Sequence, residues 1–221
     1  MKPIWKFRLL ALLIVIVVGT VSIANLTAGL LRPAPTAWAV SGSQPLQPQA
    51  LSAAVRAARI APFREDLKAD EARLRAAEVL AGKGPGDLLA NDAAQSAVKA
   101  ALKIGPHDAR MWLTLALLRA HGNLGDAVIV EPLKMSYLTG PNQAELIAAR
   151  LDLVSNINSL SDPDLQELAA SDVRAILTRF ADLRPLLVTA YAHGSTAGKK
   201  LLEDSVKSID PTFVATLRGT R

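Results

Sequence analysis

The residues that could do chemistry are few, and their spacing does not gather them. His107, His121 and His193 are the three imidazoles, and no two stand four apart on one helix, the spacing that presents two ligands to one metal. Ser195 follows His193 by two residues, but no oriented acid or nucleophile-elbow sequence accompanies the pair. Gly194-Ser195-Thr196-Ala197-Gly198-Lys199-Lys200 has the glycines and lysine of a phosphate loop. It is one residue short, lacks a hydroxyl after the first lysine and follows no strand, so a helix–helix connector is expected. Gly82 to Gly86 reads as a flexible loop for the same lack of context. With no cysteine, disulfides, thiolate nucleophiles and thiolate zinc sites are excluded. Asp66, Asp70, Glu71 and Glu78 alternate with Arg64, Lys68, Arg73 and Arg75, as on a solvated helix face laced by i,i+4 pairs. The expectation is no catalytic, cofactor-binding or metal-ligating residue, no cofactor, and no enzyme activity.

Charge narrows the partners. The chain carries +5 overall, but residues 1–50 hold Lys2, Lys6, Arg8 and Arg32 and no acid. The remainder has 21 basic against 20 acidic residues. Nucleic-acid binding needs cations gathered on one face to displace counterions, so no nucleic-acid partner is expected.

Leu9 to Leu31 is an uncharged run of 23 residues. As a helix it would measure about 35 Å, slightly more than a hydrocarbon core of about 30 Å. Three basic residues precede it and only Arg32 closes it, which predicts a cytoplasmic N-terminus and an exported body. Trp5 and Trp38 flank the run, where indoles settle at membrane interfaces. Ala37-Trp38-Ala39 offers a signal-peptidase site, but the run exceeds the 7–15 residues of a signal core, so a retained anchor is the preferred reading. Thr20, Ala24 and Ala28 repeat every four residues beside Asn25, a face suited to self-association or to another membrane helix. Residues 32–50 hold four prolines and one charge, Arg32, and read as an extended tether of about 50 Å reach that holds the body off the membrane.

Alanine and leucine dominate the apolar half of the chain and aromatics are only 4%, which favours helices over sheets. From residue 51 the pattern predicts helices near 51–60, 64–81, 87–104, 107–121, 126–139, 142–159, 163–180, 184–193, 197–208 and 211–217. Phe63, Leu67, Leu74, Ala77 and Ala81 form one apolar stripe; Leu146, Ala149, Leu153, Ile157 and Leu160 form another. Gly105-Pro106 and Gly140-Pro141 read as left-handed glycine caps with a following stop. Asn142 with Glu145, and Asp162 before Pro163, read as N-terminal caps. Pro132 should kink its helix or delay its start.

A resemblance follows from these marks. Ala94, Val98 and Ala101 precede Pro106, and Trp112, Leu115 and Ala116 follow it, at offsets that resemble the tetratricopeptide repeat (TPR). The next Gly-Pro stop lies about 34 residues on, the repeat's period. The likeness covers about 94–141, with Arg119, Val128 and Pro132 departing from it. It implies a layered, TPR-like α-solenoid of antiparallel helix pairs with irregular C-terminal helices, in which Trp112 packs between helices. A weaker similarity links Trp112 through Leu118, Lys134 to Tyr137 and Pro141-Asn142 to membrane-anchored proteins encoded near exopolysaccharide genes in α-proteobacteria. It implies an accessory role in polysaccharide assembly or export.

The organisation expected is therefore a basic cytoplasmic stretch (1–8), a transmembrane helix (9–31), a Pro-rich linker (32–50) and a periplasmic all-α domain (51–221). The function expected is a scaffold in a bacterial inner membrane, contacting the bilayer through 9–31 and envelope proteins through Arg110, Arg119 and Lys134. The alternative is a glycan-binding accessory protein or an enzyme with a pocket among helices 142–217.

Overall fold

The computed structural model describes residues 3–33, 48–82, 88–121, 126–158 and 160–219. Among them every regular element is helical, and no strand occurs. The elements are α1 (Pro3–Leu31), α2 (Pro48–Ile60), α3 (Glu65–Ala81), α4 (Leu88–Ile104), α5 (Ala109–His121), α6 (Asp126–Thr139), α7 (Ala144–Asn156), α8 (Pro163–Thr178), α9 (Arg184–His193), α10 (Thr196–Ile209) and α11 (Val214–Leu217). Single 3-10 turns at Ala181–Leu183 and Pro211–Phe213 lead into α9 and α11.

α1 is long and apolar enough from Trp5 to Leu31 to cross a membrane. In the body α3 packs on α4 and α5 on α6, and α5 also touches α3. Ala72, Ala76, Ala94, Val98, Ala101, Met111 and Leu115 make the core of the first layer. The small side chains let the helix axes approach closely. Ala109, Leu113, Ala116, Leu133, Tyr137, Leu146 and Leu165 make the second core. Beyond Tyr137 the neighbour pairing lapses: α8 packs mainly on α10, and α7 on α9 and α10. This irregular half is sealed by Ile147, Val173, Ile176, Leu187, Leu202 and Val206.

Several local expectations change. Gly105 and Gly140 do not adopt the left-handed conformation; only Gly219 has positive φ among the described residues. Glycine gives room at Gly140, where the neighbour is a fixed methyl, whereas at Gly105 the neighbour is a mobile glutamate side chain. A Cβ on Gly105 would sit 2.1 Å from the Glu65 carboxylate, and one on Gly140 would sit 2.6 Å from the Ala109 Cβ. Asn142 does not cap α7, because Gln143 occupies that position and makes no side-chain cap bond. Asp162 does cap α8, accepting from the Leu165 N–H at 2.9 Å with Pro163 just inside the helix. In the stripe assigned to α3, Phe63 lies in the α2–α3 turn and is exposed, as is Ala81. The buried face is Leu67, Asp70, Ala72, Leu74 and Ala76.

The last turns of α1 lie against the body. Ala28 is fully buried among Ala57, Ala58, Ala61 and Leu67. This differs from a body held at a distance from the membrane helix. Residues 48–50, read as the end of the spacer, are the first residues of α2; residues 34–47, with Trp38 and the 37–39 cleavage motif, lie outside the described residues, as do 83–87 of the first glycine loop.

Candidate functional site

Two polar constellations stand out, one at the end of α1 and one around α6. The first begins with Arg32, the residue that closes the apolar run. Its Nε donates to Asp70 at 2.6 Å and its Nη1 to Asp66 at 3.0 Å. Arg64 holds Asp66 from the other side, with Nε on Oδ1 at 3.0 Å, and its Nη1 reaches the Asn25 carbonyl on α1 at 3.3 Å. Arg64's hydrogen bonds, then the positive charges of Arg64 and Arg32, hold the Asp66 carboxyl below its ordinary range against an opposing effect of burial. Asp70 also pairs with Arg73, so it is not the solvated acid its sequence pattern suggests. Glu71 does follow that pattern, pairing with Lys68 and Arg75 along its own helix.

Beside this joint lies a cavity of about 190 Å³ lined by Arg32, Asp66, Asp70, Arg73, Asp108 and Arg110, with Ala69 and Met111 at its apolar edge. Asp108 is fixed there as the cap of α5, accepting from the N–H groups of Arg110 and Met111 at 2.9 and 3.2 Å. Three guanidinium groups face three carboxylates, so the cavity is polar and locally neutral, and no aromatic ring lines it.

The second constellation brings together Arg119 and Pro132. Pro132 lies inside α6 without interrupting it, although it has no N–H to give the carbonyl four residues back. That carbonyl belongs to Val128, and Arg119 on α5 donates Nη1 to it at 2.5 Å. Arg119 and Pro132 are thus complementary: the donor that proline removes is supplied by the arginine.

The other end of α6 is met by Arg150, which sequence reasoning missed. Its side chain is fully buried on α7. Nε donates to the Ser136 hydroxyl at 3.0 Å, and Nη2 donates to the Ser136 carbonyl and to the Gly140 carbonyl, the latter at 3.0 Å. The guanidinium lies over the Tyr137 ring, 4.6 Å from its centroid. Both carbonyls also accept backbone N–H groups, Ser136 from Gly140 and Gly140 from Gln143, so Arg150 adds a second donor to each at the end of α6. Nearby, Asp172 of α8 is buried, and burial pushes its carboxyl up to about 6 despite the opposing charge of Arg150. The Tyr137 hydroxyl also opposes that rise, although it makes no hydrogen bond of ordinary geometry with the Asp172 carboxyl, and the Arg150 Nη1 has no hydrogen-bond partner. The signal was present in the sequence: Arg150 and Asp172 interrupt the apolar stripes of consecutive helices.

The remaining assigned residues fall as follows. Arg110 pairs with Glu145, linking α5 to α7 at the surface. Lys134 is half-buried between Asp162 and Asp164 at the start of α8. Arg110, Arg119 and Lys134 therefore each join two elements of the body, and only Arg110 reaches the cavity. Ala94, Val98, Ala101, Leu115 and Ala116 are buried, and Pro106 sits in the exposed turn. Trp112 is half-buried and donates its indole N–H to the Pro106 carbonyl at 2.7 Å. On α1, Ala28 is covered by the chain's own α2, Asn25 donates to the Val21 carbonyl, and Thr20 stays exposed with its hydroxyl on Val17. The small-residue face thus has an occupant from the same chain over its C-terminal half.

Ser195 caps α10, accepting from Gly198 N–H at 3.0 Å and donating to the Ile157 carbonyl at 2.7 Å. His193 turns to the Thr189 carbonyl. The glycine-rich run is the connector between α9 and α10; a Cβ on Gly198 would sit 2.0 Å from the Ser155 carbonyl. His107 is exposed in the α4–α5 turn, and His121 ends α5. Compared with family models, curated proteins and solved structures, the chain matches none.

Proposed function

We propose that this protein is a membrane-anchored adaptor. α1 crosses a bacterial inner membrane with its N-terminus in the cytoplasm, and the body presents its TPR-like helix pairs to protein partners in the periplasm. On this reading the partners belong to envelope polysaccharide assembly or export, the association suggested by the residues from Trp112 to Leu118.

The observation that carries the proposal is the joint at Arg32. An apolar helix of spanning length ends in a basic residue engaged by two carboxylates of the body. Such a joint fixes the body's orientation at the membrane surface. Confinement to that layer raises its effective concentration toward neighbouring membrane components without any new contact. The locally neutral cavity and the surface ion pairs suit protein contact better than recognition of a polyanion.

The test uses photo-crosslinking amino acids at exposed body positions such as Leu138 in living cells. An adaptor gives discrete adducts that disappear when α1 is replaced by a cleavable signal sequence. Loss of the adducts would show dependence on the anchor, whereas adducts unchanged by that replacement would contradict it. A C-terminal reporter active only in the cytoplasm should be silent.

A further inference from the structure

The joint sets the α2–α3 corner at the level of the last two turns of α1. Arg64, at the end of the corner, donates to the Asn25 carbonyl, and its guanidinium lies 3.8 Å from where a Gly29 Cβ would stand. The apolar run continues to Leu31, so Asn25 lies about 9 Å before its end. Leu26 and Leu30 at this level face outward. In the corner itself Phe63 is 89% exposed, next to exposed Pro62 and Ile60. An aromatic ring that bare, level with lipid-facing residues of a spanning helix, has a ready partner in the bilayer.

α2 adds a second, independent observation. Its apolar face, Ala54, Ala57 and Ala58, is buried. Its outward face carries Arg56 and Arg59, both exposed, and the helix contains no acid. Arg32, Arg64, Asp66 and Asp70 at the joint are paired with one another, whereas Arg56 and Arg59 make no ion pair among the described residues. Basic residues beside a membrane helix are attracted to anionic headgroups.

We infer that the α2–α3 corner is a second membrane contact: Phe63 enters the interface of the leaflet where α1 ends, and Arg56 and Arg59 engage anionic phosphate headgroups. This inference rests on the anchor reading of α1. It makes the body a two-point attachment, one spanning helix and one interfacial corner, which fixes tilt as well as distance.

The chain has no cysteine, so single cysteines can be placed without background. Nitroxide labels at Pro62→Cys, Leu13→Cys and Lys207→Cys are read for collision with oxygen and with a water-soluble nickel chelate. The full chain is used, in vesicles of phosphatidylcholine with or without phosphatidylglycerol. The expected result is an oxygen-to-nickel ratio at 62 several-fold above that at 207, rising when phosphatidylglycerol is present. Adding Phe63→Ser should lower the ratio, and Arg56→Gln with Arg59→Gln should abolish the rise. A ratio at 62 equal to that at 207, with 13 still lipid-like, overturns the corner contact and leaves the anchor intact. Water-like behaviour at 13 overturns the anchor as well. A label at 62 shielded from both colliders would mean protein covers the corner, and would also overturn the inference.

Discussion

The ends of α1 and α6 are both met by an arginine from another part of the chain, yet the two solutions differ in their access to water. At α1, Arg64 and Arg32 share Asp66 and Asp70 in a partly exposed network where every charge has an opposite. At α6, Arg150 is sealed in the core and held mostly by carbonyls, a hydroxyl and an aromatic face, and its charge offsets part of the cost of burying Asp172 nearby. The exposed network can exchange partners with solvent at little cost, so it suits a joint. A buried charge has no such alternative, so it fixes one packing of α6, α7 and α8.

Breaking the buried side should have the largest effect. Arg150→Ala leaves the α6 carbonyls and Asp172 without their cation and should destabilise the chain by about 3–5 kcal/mol in denaturant unfolding. Arg150→Met combined with Asp172→Leu should recover much of that loss. A double variant as unstable as the single would show that the arginine's own hydrogen bonds, not the uncompensated charge, dominate.

Asp172 sharpens the comparison through pH. Its folded-state value is raised to about 6, above that of the unfolded chain, so the folded state binds the proton more tightly. Its contribution is therefore most favourable below about pH 4, fades between 4 and 6, and leaves a penalty of ~3 kcal/mol above that. Asp66 has the opposite sign, since its lowered value gives stability that is lost on acidification. The difference in unfolding free energy between wild type and Asp172→Asn, followed from pH 4 to 7, isolates the first slope. A constant difference would contradict it.

The third effect is smaller. Arg119→Met leaves the exposed Val128 carbonyl to water and should cost about 0.5–1.5 kcal/mol. In the Pro132→Ala background the missing N–H is restored, and the same substitution should cost much less. Equal losses in both backgrounds would refute the pairing of Arg119 with Pro132.

The smallest effect in energy belongs to the joint. Arg32→Gln removes two partly exposed pairs, to Asp66 and Asp70, and should change stability by about 1 kcal/mol or less. Its signature is mobility: a nitroxide on α2 should tumble faster in bilayers while the unfolding midpoint barely moves. A large fall in the midpoint would mean the joint is part of the folding core.

Much of this architecture was legible from local marks. The apolar run of α1, the Asp162-Pro163 cap and the Gly-Pro stops gave helix positions within a few residues because each acts over one turn. The joint was not legible, since Arg32 meets Asp66 and Asp70 across more than thirty residues of sequence. Arg119 and Pro132 each read as a departure from the repeat; only the α5–α6 contact shows that they cancel. Gly140 stands at a helix end without the left-handed conformation its sequence predicts, because steric room against Ala109 leaves no mark in local sequence. Phe63 was assigned to a core by its spacing, but the chain had already turned before α3 began.

The most direct test of the account is the distance distribution between nitroxides at Leu30→Cys and Lys103→Cys in the full chain, in lipid nanodiscs, by pulsed electron resonance. Docking of the body on α1 predicts one narrow distribution that broadens when Asp66→Asn and Asp70→Asn are introduced. A distribution already as broad as that of a body on a flexible spacer, and unmoved by those substitutions, would contradict it.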